Sequence, residues 1–152
     1  MATGTTMRGI IYASRALVDF DAAALQALEA QAAARNAGLG VTGYLYFEDQ
    51  CFFQYIEGGH DPVTALMARI ELDARHDVRH VVYDDRMTQR RFPAWSMRVL
   101  QRAQFAGVDS LIYDHIVFMK QASPSREDAS ASVWHLIERV RDLRGRLLAS
   151  NE

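Results

Sequence analysis

Hydrophobic residues in this chain fall into short runs and alternating patterns, separated by stretches with helical spacing. These runs and alternations predict strands over residues 9–13, 41–47, 51–57, 78–83 and 95–100. A first helix is predicted over residues 22–36, with Asp21 as its N-cap and Gly38 just beyond its end. A second is predicted over residues 62–75, where Asp61 is the N-cap and the proline after it opens the helix.

The predicted elements follow the order strand, helix, strand, strand, helix, strand, strand. Two βαβ-like units around a central hairpin predict an α+β fold, a ferredoxin-like sandwich (βαββαββ) with a five-stranded sheet and two helices on one face. The hairpin turn falls at residues 48–50, and in the last strand Trp95, Met97 and Val99 alternate with polar residues. We expect this core to occupy residues 1–102.

The rest of the chain, residues 103–152, predicts two further helices. An apolar segment over residues 111–119 and a turn at residues 123–125 precede a stretch with apolar residues at helical spacing. Those residues are Val133, Leu136, Ile137, Val140, Leu143 and Leu147. The two helices either cover the free face of the sheet or form an oligomer interface, with Trp134 and Leu147 as candidate contacts.

Composition and charge exclude several classes of protein. The 152 residues are 49% hydrophobic and 24% charged, which is typical of a globular chain and excludes disorder as the main state. A net charge of -2 gives no basic surface for sequence-independent nucleic-acid binding. No apolar run is long enough to span a membrane, and the N-terminus lacks the pattern of a secretory signal. Because Cys51 is the only cysteine, no internal disulfide can form, and we expect a cytoplasmic protein.

The residue patterns that usually indicate catalysis or metal binding are missing. The sequence contains no Gly-rich phosphate loop, no G-x-S-x-G motif and no C-x-x-C motif. The histidines are not spaced as metal ligands. We therefore expect no metal site and no enzyme activity.

Polar residues within apolar strands are the informative exception. Gln54 shares a strand face with Phe52 and Ile56, and Tyr12 shares one with Ile10. In the predicted topology the first and third strands are neighbours, so Tyr12 and Gln54 can meet. Their hydrogen bond either closes the core or belongs to a site.

Two features near the helices can likewise be either structural or functional. Arg69, Asp73 and His76 follow one another at spacings of four and three, which predicts one helical face, either a solvated ion-pair stripe or part of a site. Asn36 is either a C-terminal helix cap or a ligand contact. Taken together with the polar strand residues, they suggest a slot for a flat heteroaromatic ligand.

Several segments, in order, resemble the BLUF family of blue-light sensors that use flavin. They are Ile10-Ile-Tyr-Ala-Ser-Arg15, Asn36 before Gly38, Val41-Thr-Gly-Tyr-Leu45, Phe52-Phe-Gln-Tyr-Ile-Glu-Gly58, Leu66-Met-Ala-Arg-Ile70, Asp73-Ala-Arg-His76 and Arg91-Phe-Pro-Ala-Trp-Ser-Met97. The match runs from about residue 8 to residue 100. It resembles a short, stand-alone member with two C-terminal helices.

The resemblance implies a photochemical pair and a signalling pair. Tyr12 matches the tyrosine that gives an electron to the photoexcited flavin, and Gln54 the glutamine between that tyrosine and the flavin N5 and C4 carbonyl. Gln54 then rearranges by rotation or tautomerisation, which shifts the absorption slightly to the red. Trp95 and Met97 match the pair of the last strand that moves near Gln54 when the signal is passed on.

The resemblance also implies the residues that bind the cofactor. Asn36 matches the contact to the pyrimidine edge of the flavin, and Ile70 an apolar ring contact. Further ring-edge and ribityl contacts are expected from Arg69, Asp73 and His76, with Arg75 as an additional candidate and Ser14 at a position that is often small and polar. FAD is the expected cofactor, and FMN or riboflavin fit the same ring slot.

Two positions depart from the family pattern. The hairpin turn is Asp49-Gln50, where the family commonly has Asp-Gly, and this puts the turn type in question. Ala37 follows Asn36, where some members have a second asparagine, and this puts one flavin contact in question.

Three classes of function are therefore compared. The first is a flavin photoreceptor that acts through a downstream effector protein and forms a homo-oligomer. The second is an enzyme on the same fold, either a small flavin-dependent redox enzyme or an acyl-phosphate hydrolase, for which no nucleophile or anion loop is found. The third is a structural module that has lost its cofactor, against which the set of Tyr12, Asn36 and Gln54 argues.

Overall fold

A five-stranded sheet forms the middle of the computed structural model, which describes residues 6–120 and 126–149. Its strands are β1 (Met7–Ala16), β2 (Thr42–Glu48), β3 (Cys51–Gly59), β4 (His76–Asp84) and β5 (Arg98–Leu100). They lie in the order β4-β1-β3-β2-β5, and all neighbours are antiparallel except β2 and β5, which are parallel. The predicted α+β fold of ferredoxin-like type is confirmed.

Two helices, α1 (Ala22–Leu39) and α2 (His60–Glu71), pack on one face of the sheet. The core on this side is formed by apolar side chains of both layers, among them Ile10, Leu25, Leu45, Ile56, Leu66 and Ile70. Because Tyr12 belongs to the same core, the two helices lie beside the polar strand residues that the sequence singled out.

The first helix begins as predicted and ends later. Asp21 caps its start, with its carboxylate accepting a backbone N–H at 2.8 Å. The helix continues through Gly38 to Leu39, and the residue that ends it is Gly40, whose φ of 67° lies in the left-handed region that glycine adopts without strain. Asn36 consequently lies inside the helix and is not its cap.

The second helix differs from its prediction at both ends. It was expected over residues 62–75, but it begins at His60, with Gly59 as the N-cap residue and Asp61 in its first turn. A carboxylate there still interacts favourably with the helix dipole. The helix ends at Glu71, because β4 must begin at residue 76 to pair with the end of β1, and the chain needs a short loop to reach it.

The hairpin between β2 and β3 has a two-residue turn. Asp49 and Gln50 have φ values of 52° and 58°, which is the left-handed conformation that a type I′ turn requires at both positions. Although Gln50 stands where the family commonly has glycine, the turn therefore keeps the conformation that is typical of β-hairpins. The side-chain oxygen of Gln50 also accepts the backbone N–H of Phe20 at 3.1 Å and ties the turn to the loop before α1.

Two C-terminal helices, α3 (Asp109–Lys120) and α4 (Arg126–Ala149), cover the other face of the sheet after an unpredicted 3₁₀ turn at Arg102–Phe105. Their buried side chains join one core with those of the strands, including Tyr44, Phe53, Tyr55, Phe118, Val133 and Ile137. Trp134 packs edge-on to Tyr55, with ring centroids 6.0 Å apart. Of the two expected roles for these helices, covering the sheet is therefore observed.

Four expectations about the C-terminal part remain predictions. The turn at residues 123–125 and the contact expected of the Leu147 side chain lie outside the described residues. The division of the chain into a core over residues 1–102 and an extension over residues 103–152 stays a prediction, as does an oligomer interface.

Candidate functional site

A cavity opens between α1, α2 and the sheet, with a volume of ≈540 Å³ including its open mouth. Apolar side chains form most of its wall, namely Phe20, Leu28, Ala32, Leu45, Phe52, Ile70, Met97 and Val99. Polar side chains complete the lining, namely Tyr12, Arg35, Gln54, Asp73, Arg75 and His76.

Tyr12 and Gln54 meet in this cavity as the sequence predicted. They are direct partners in the antiparallel pairing of β1 with β3, and both side chains are buried. The Tyr12 hydroxyl donates a hydrogen bond to Gln54 Oε1. Burial raises the pKa of the Tyr12 phenol, so the hydroxyl keeps its proton and acts as the donor.

The amide nitrogen of Gln54 has a much weaker partner. Its Nε2 lies 3.4 Å from Met97 Sδ, and a thioether sulfur is a poor acceptor. The side chain of Gln54 is thus fixed firmly at its oxygen and loosely at its nitrogen. Because both atoms belong to one planar amide, a rotation of the amide breaks the bond from Tyr12 together with the weak contact to Met97.

Met97 and Trp95 lie on opposite sides of the sheet. The predicted strand over residues 95–100 is shorter than expected, because β5 begins only at Arg98. The backbone turns before it, with the N–H of Trp95 bonded to Phe92 O at 3.1 Å and its carbonyl accepting from Gly43 N at 2.8 Å. Met97 consequently reaches the cavity, whereas Trp95 stacks on Phe92 in the core beneath α3 and α4.

Asn36 is fully buried, but it is not among the residues that line the cavity. Its Nδ2 donates to the carbonyl of Ser96 at 3.1 Å, and its Oδ1 accepts from Arg35 Nε at 3.1 Å. The side chain thus ties the end of α1 to the segment that carries Met97. Its expected contact with the pyrimidine edge of a flavin stays a prediction.

The residues expected on one face of the second helix are arranged differently. Because α2 ends at Glu71, only Arg69 lies on the helix, where it is exposed and outside the cavity wall. Asp73 lies in the following loop, and His76 begins β4. The prediction of a single helical face is therefore wrong, although the loop still brings Asp73 and His76 to the cavity.

Asp73 and Arg75 form a two-pronged ion pair at the mouth of the cavity. Arg75 Nη2 lies 2.7 Å from Asp73 Oδ2, and Arg75 Nε lies 3.0 Å from Oδ1. The hydrogen bonds from Arg75 lower the pKa of the Asp73 carboxyl to about 2. Asp73 is therefore ionised at all ordinary pH values, and the charge of Arg75 balances its own.

His76 is fixed by hydrogen bonds at both ring nitrogens. Its Nε2 lies 2.8 Å from the carbonyl oxygen of Ile70 and must carry a proton, because a carbonyl can only accept. Its Nδ1 lies 2.7 Å from Ser14 Oγ, so in the neutral ring it accepts from that hydroxyl. Ser14 thus lies behind His76 and orients it, rather than lining the cavity.

Arg35 is a cavity residue that sequence reasoning missed. Leu28, Ala32 and Arg35 follow one another at spacings of four and three on α1, and this spacing was a signal that one helix face carries all three. Apart from the bond to Asn36, no acceptor is found for the Arg35 guanidinium within the described residues. Burial and the nearby charge of Arg69 lower the pKa of Arg35.

Two further findings concern metal-binding groups and membrane-spanning helices. In the described part of the chain, no group of three or more His, Cys, Asp or Glu side chains could hold a metal ion. No helix over residues 6–120 and 126–149 is both long and apolar enough to cross a membrane.

Comparison with known proteins finds solved structures that are similar to this fold. The solved dark-state structure of BlrB, a BLUF protein, is 25% identical, has a TM-score of 0.67, and aligns over 89% of this chain and 97% of its own. A structure of Klebsiella pneumoniae BlrP1 is 27% identical with a TM-score of 0.62, over 92% of this chain and 34% of its own.

Similarity to curated sequences is confined to part of the chain. The photoactivated adenylate cyclase subunit alpha of Euglena gracilis is 36% identical over 64 residues, which is 42% of this chain and 6% of that protein. Its beta subunit is 36% identical over 64 residues, 42% of this chain and 8% of that protein. The family model described as BLUF, sensors of blue-light using FAD, matches residues 7–98, more than half of the 152 residues. The chain therefore belongs to the BLUF family of blue-light sensors.

Proposed function

We propose that this protein is a blue-light photoreceptor in which non-covalently bound flavin acts through the Tyr12–Gln54 hydrogen bond. The observation that carries the proposal is this bond, made by two buried side chains of neighbouring strands at the wall of the cavity. FAD is the flavin named in the family description, and FMN or riboflavin have the same ring system.

The cavity offers the chemistry that a flavin ring requires. Its apolar walls suit a flat ring, and its polar lining offers donors at Arg35 and Arg75 and acceptors at Asp73 and Gln54. A flavin ring has carbonyl oxygens, ring nitrogens and one N–H, so both kinds of partner are needed. When bound, it supplies absorption of blue light and an excited state that accepts an electron.

Tyr12 is the proposed donor of that electron and Gln54 the proposed carrier of the proton. Loss of an electron makes the Tyr12 hydroxyl strongly acidic, and its proton moves along the existing hydrogen bond to Gln54 Oε1. The electron and proton then return to Tyr12, which leaves its charge unchanged. Gln54 remains rearranged, by rotation or by tautomerisation, and presents a different donor and acceptor pattern to the cavity.

The rearranged Gln54 is proposed to act on Met97, the residue that its amide nitrogen contacts. From Met97 the signal passes along β5 and the segment with Trp95 to α3 and α4, and then to an effector protein. Moving a two-state element from mostly one state to mostly the other takes about 5.5 kcal/mol. One hydrogen bond contributes about 1 kcal/mol, so we expect a partial shift in population.

The first test is the visible absorption spectrum of the purified protein, in darkness and after blue illumination. We expect a flavin spectrum that shifts slightly to the red and recovers in the dark. Tyr12→Phe and Gln54→Leu should keep the yellow colour and lose this shift. Tyr113→Phe is the matched control, because that tyrosine is exposed on α3, on the other side of the sheet.

The other outcomes separate the alternatives. A full red shift in Tyr12→Phe would contradict the role given to Tyr12. A spectrum that bleaches in light without a red shift would favour a small flavin-dependent redox enzyme. A colourless protein that cannot be reconstituted with flavin would leave the fold without this function.

A further inference from the structure

A second groove, away from the flavin cavity, lies between residues 84–93 and the part of α4 from residue 138 to residue 144. Its volume is ≈1270 Å³ including its open mouth. Five of its lining residues are arginines, at positions 86, 90, 91, 141 and 144, against the three carboxylates of Asp84, Glu138 and Asp142. We call it the arginine groove. Its formal charge is +2 (five minus three), in a chain with a net charge of -2.

Two of the arginines are neutralised within the protein. Arg91 lies 2.9 Å from Asp84 and 3.4 Å from Glu138. Arg141 lies 2.7 Å from Glu138 and 2.9 Å from Asp142. These pairs use all three carboxylates of the groove and hold α4 beside the loop after β4. They form the walls and leave little charge to attract a ligand.

The remaining arginines, Arg86, Arg90 and Arg144, have no carboxylate within ion-pair distance among the described residues. Arg90 donates to neutral groups only, including Gly40 O at 2.6 Å, and Arg144 donates to the carbonyl of Arg141 at 2.7 Å. The side chain of Arg86 has no hydrogen-bond partner in this part of the chain. The groove therefore contains three arginines without an ion-pair partner among the described residues.

The wall of the groove is continuous with the segment that touches Gln54. The buried carboxylate of Glu57 accepts the backbone N–H groups of Arg91 and Phe92, each at 2.7 Å. From there the chain runs directly to Met97, which contacts Gln54. Only three residues separate Met97 from Pro93, which lines the groove.

We propose that the arginine groove binds an acidic segment of the effector protein and that light changes its affinity. This rests on the proposed function, because the signal is assumed to start at Gln54. Guanidinium groups with free donors bind carboxylates in pairs of charge-assisted hydrogen bonds. A short groove in a chain with a net charge of -2 matches the few carboxylates of an acidic peptide segment better than the long, continuous charge of a nucleic acid.

The test uses the full flavin-loaded chain and a fluorescently labelled short polyglutamate peptide, with anisotropy measured at low ionic strength. We expect saturable binding that weakens as salt is added. The double variant R86A/R144A should weaken it about tenfold, because two charge-assisted contacts are lost. Arg79→Ala is the matched control, an exposed arginine of β4 outside the groove, and should leave binding unchanged.

A second measurement compares peptide binding by the dark and the illuminated protein. The affinity for the peptide should differ at least twofold between the dark and the illuminated protein. Equal affinity in both states, absence of saturable binding, or an equal loss in Arg79→Ala would overturn the proposal. So would tighter binding of a single-stranded oligothymidylate of the same length, which would indicate a nucleic-acid surface.

A failure of the groove proposal can be distinguished from a failure of the proposed photoreceptor function. A protein that shifts its absorption in light but does not bind the peptide refutes the groove and leaves the proposed function intact. A protein that binds the peptide but shows no flavin photocycle refutes the light dependence together with the proposed function.

Discussion

The side chains around the cavity differ in how firmly each is held, and this decides which of them can move. Tyr12 and His76 have strong partners at their polar atoms, and Asp73 is held by Arg75. Gln54 is the exception, because a thioether sulfur is the one hydrogen-bond partner of its amide nitrogen in the described part of the chain. A rearrangement that starts here breaks one strong bond and one weak contact, and this makes Gln54 the movable residue of the site.

Arg35 brings a positive charge to the cavity wall, and this gives a prediction at the level of one residue. Arg35→Gln should make the midpoint potential of bound flavin more negative, because a cation stabilises the reduced, more negative ring. We expect the ratio of the protein's affinities for reduced and oxidised flavin to fall about tenfold. This corresponds to a shift of ~59 mV in the midpoint potential of a one-electron couple. Potentiometric titration measures this shift.

A distant arginine serves as the control for this prediction. Arg102→Gln changes the charge by the same amount at an exposed position beyond β5, where Arg102 pairs with Glu48. It should leave the potential unchanged. If Arg35→Gln and Arg102→Gln gave the same potential as the wild type, the guanidinium of Arg35 would not act on the ring.

At the scale of elements, α3 is attached to the sheet by a buried histidine. His115 Nδ1 lies 2.6 Å from the carbonyl of Leu111 and so carries the proton, which leaves Nε2 to accept from the Tyr44 hydroxyl at 2.9 Å. The ring stacks on Tyr46 with centroids 4.5 Å apart. Burial lowers the pKa of His115 to about 3, so the folded protein holds a neutral imidazole.

The neutral state of His115 predicts a pH dependence of stability. Below about pH 6.5 the unfolded chain binds a proton at His115 that the folded chain does not, so the free energy of unfolding falls as the pH falls towards 3. We expect a loss of about 1 kcal/mol per pH unit from this group. Urea denaturation at about pH 7 and about pH 5 measures it.

His115→Phe isolates this contribution. The variant should be less stable at neutral pH by about 1–3 kcal/mol, because the buried Tyr44 hydroxyl loses its acceptor. Its stability should then fall less steeply with pH than that of the wild type. His135→Phe, at an exposed position on α4, is the control. Parallel curves for wild type and His115→Phe would assign the pH dependence to other groups.

At the scale of the whole molecule, Arg91 joins three parts that are distant in sequence. Its guanidinium donates to Tyr55 of β3 at 2.9 Å and to Asp84 at the end of β4 at 2.9 Å. It also lies 5.2 Å from the ring centre of Trp134 on α4 and 3.4 Å from Glu138. The attachment of α4 to the sheet therefore depends on one largely buried cation as well as on apolar packing.

Removing this cation should loosen α4 in particular. Arg91→Leu is expected to lower the free energy of unfolding by about 2 kcal/mol, because charged hydrogen bonds are lost and Asp84 keeps an unpaired charge. Amide hydrogen exchange should increase over residues 133–143 and stay unchanged in α1. Arg79→Leu, at an exposed and distant ion pair, should change stability by less than about 0.5 kcal/mol. An equal increase in exchange across the whole sheet would contradict a local role.

The sequence predicted the sheet and its helices correctly where a local pattern, such as the alternation of side chains in a strand or an N-cap residue, is compatible with one structure. Alternation of side chains placed Tyr12 and Gln54 on a shared face, and antiparallel pairing of β1 with β3 made them partners. Asp21 marked the start of α1 correctly. Errors arose at the ends of elements, as for α2 and β5, because pairing with a neighbouring strand decides where a helix must stop or a strand can begin.

The sequence by itself determined the fold class, the family and the central pair of the cavity, because these depend on local periodicity and on residues in fixed order. Only the tertiary structure decided which side of the sheet Trp95 and Met97 occupy, that Arg35 lines the cavity, and how α3 and α4 cover the other face. Those features depend on contacts between residues far apart in the chain. Their geometry follows from packing and from buried hydrogen bonds, which no local pattern encodes.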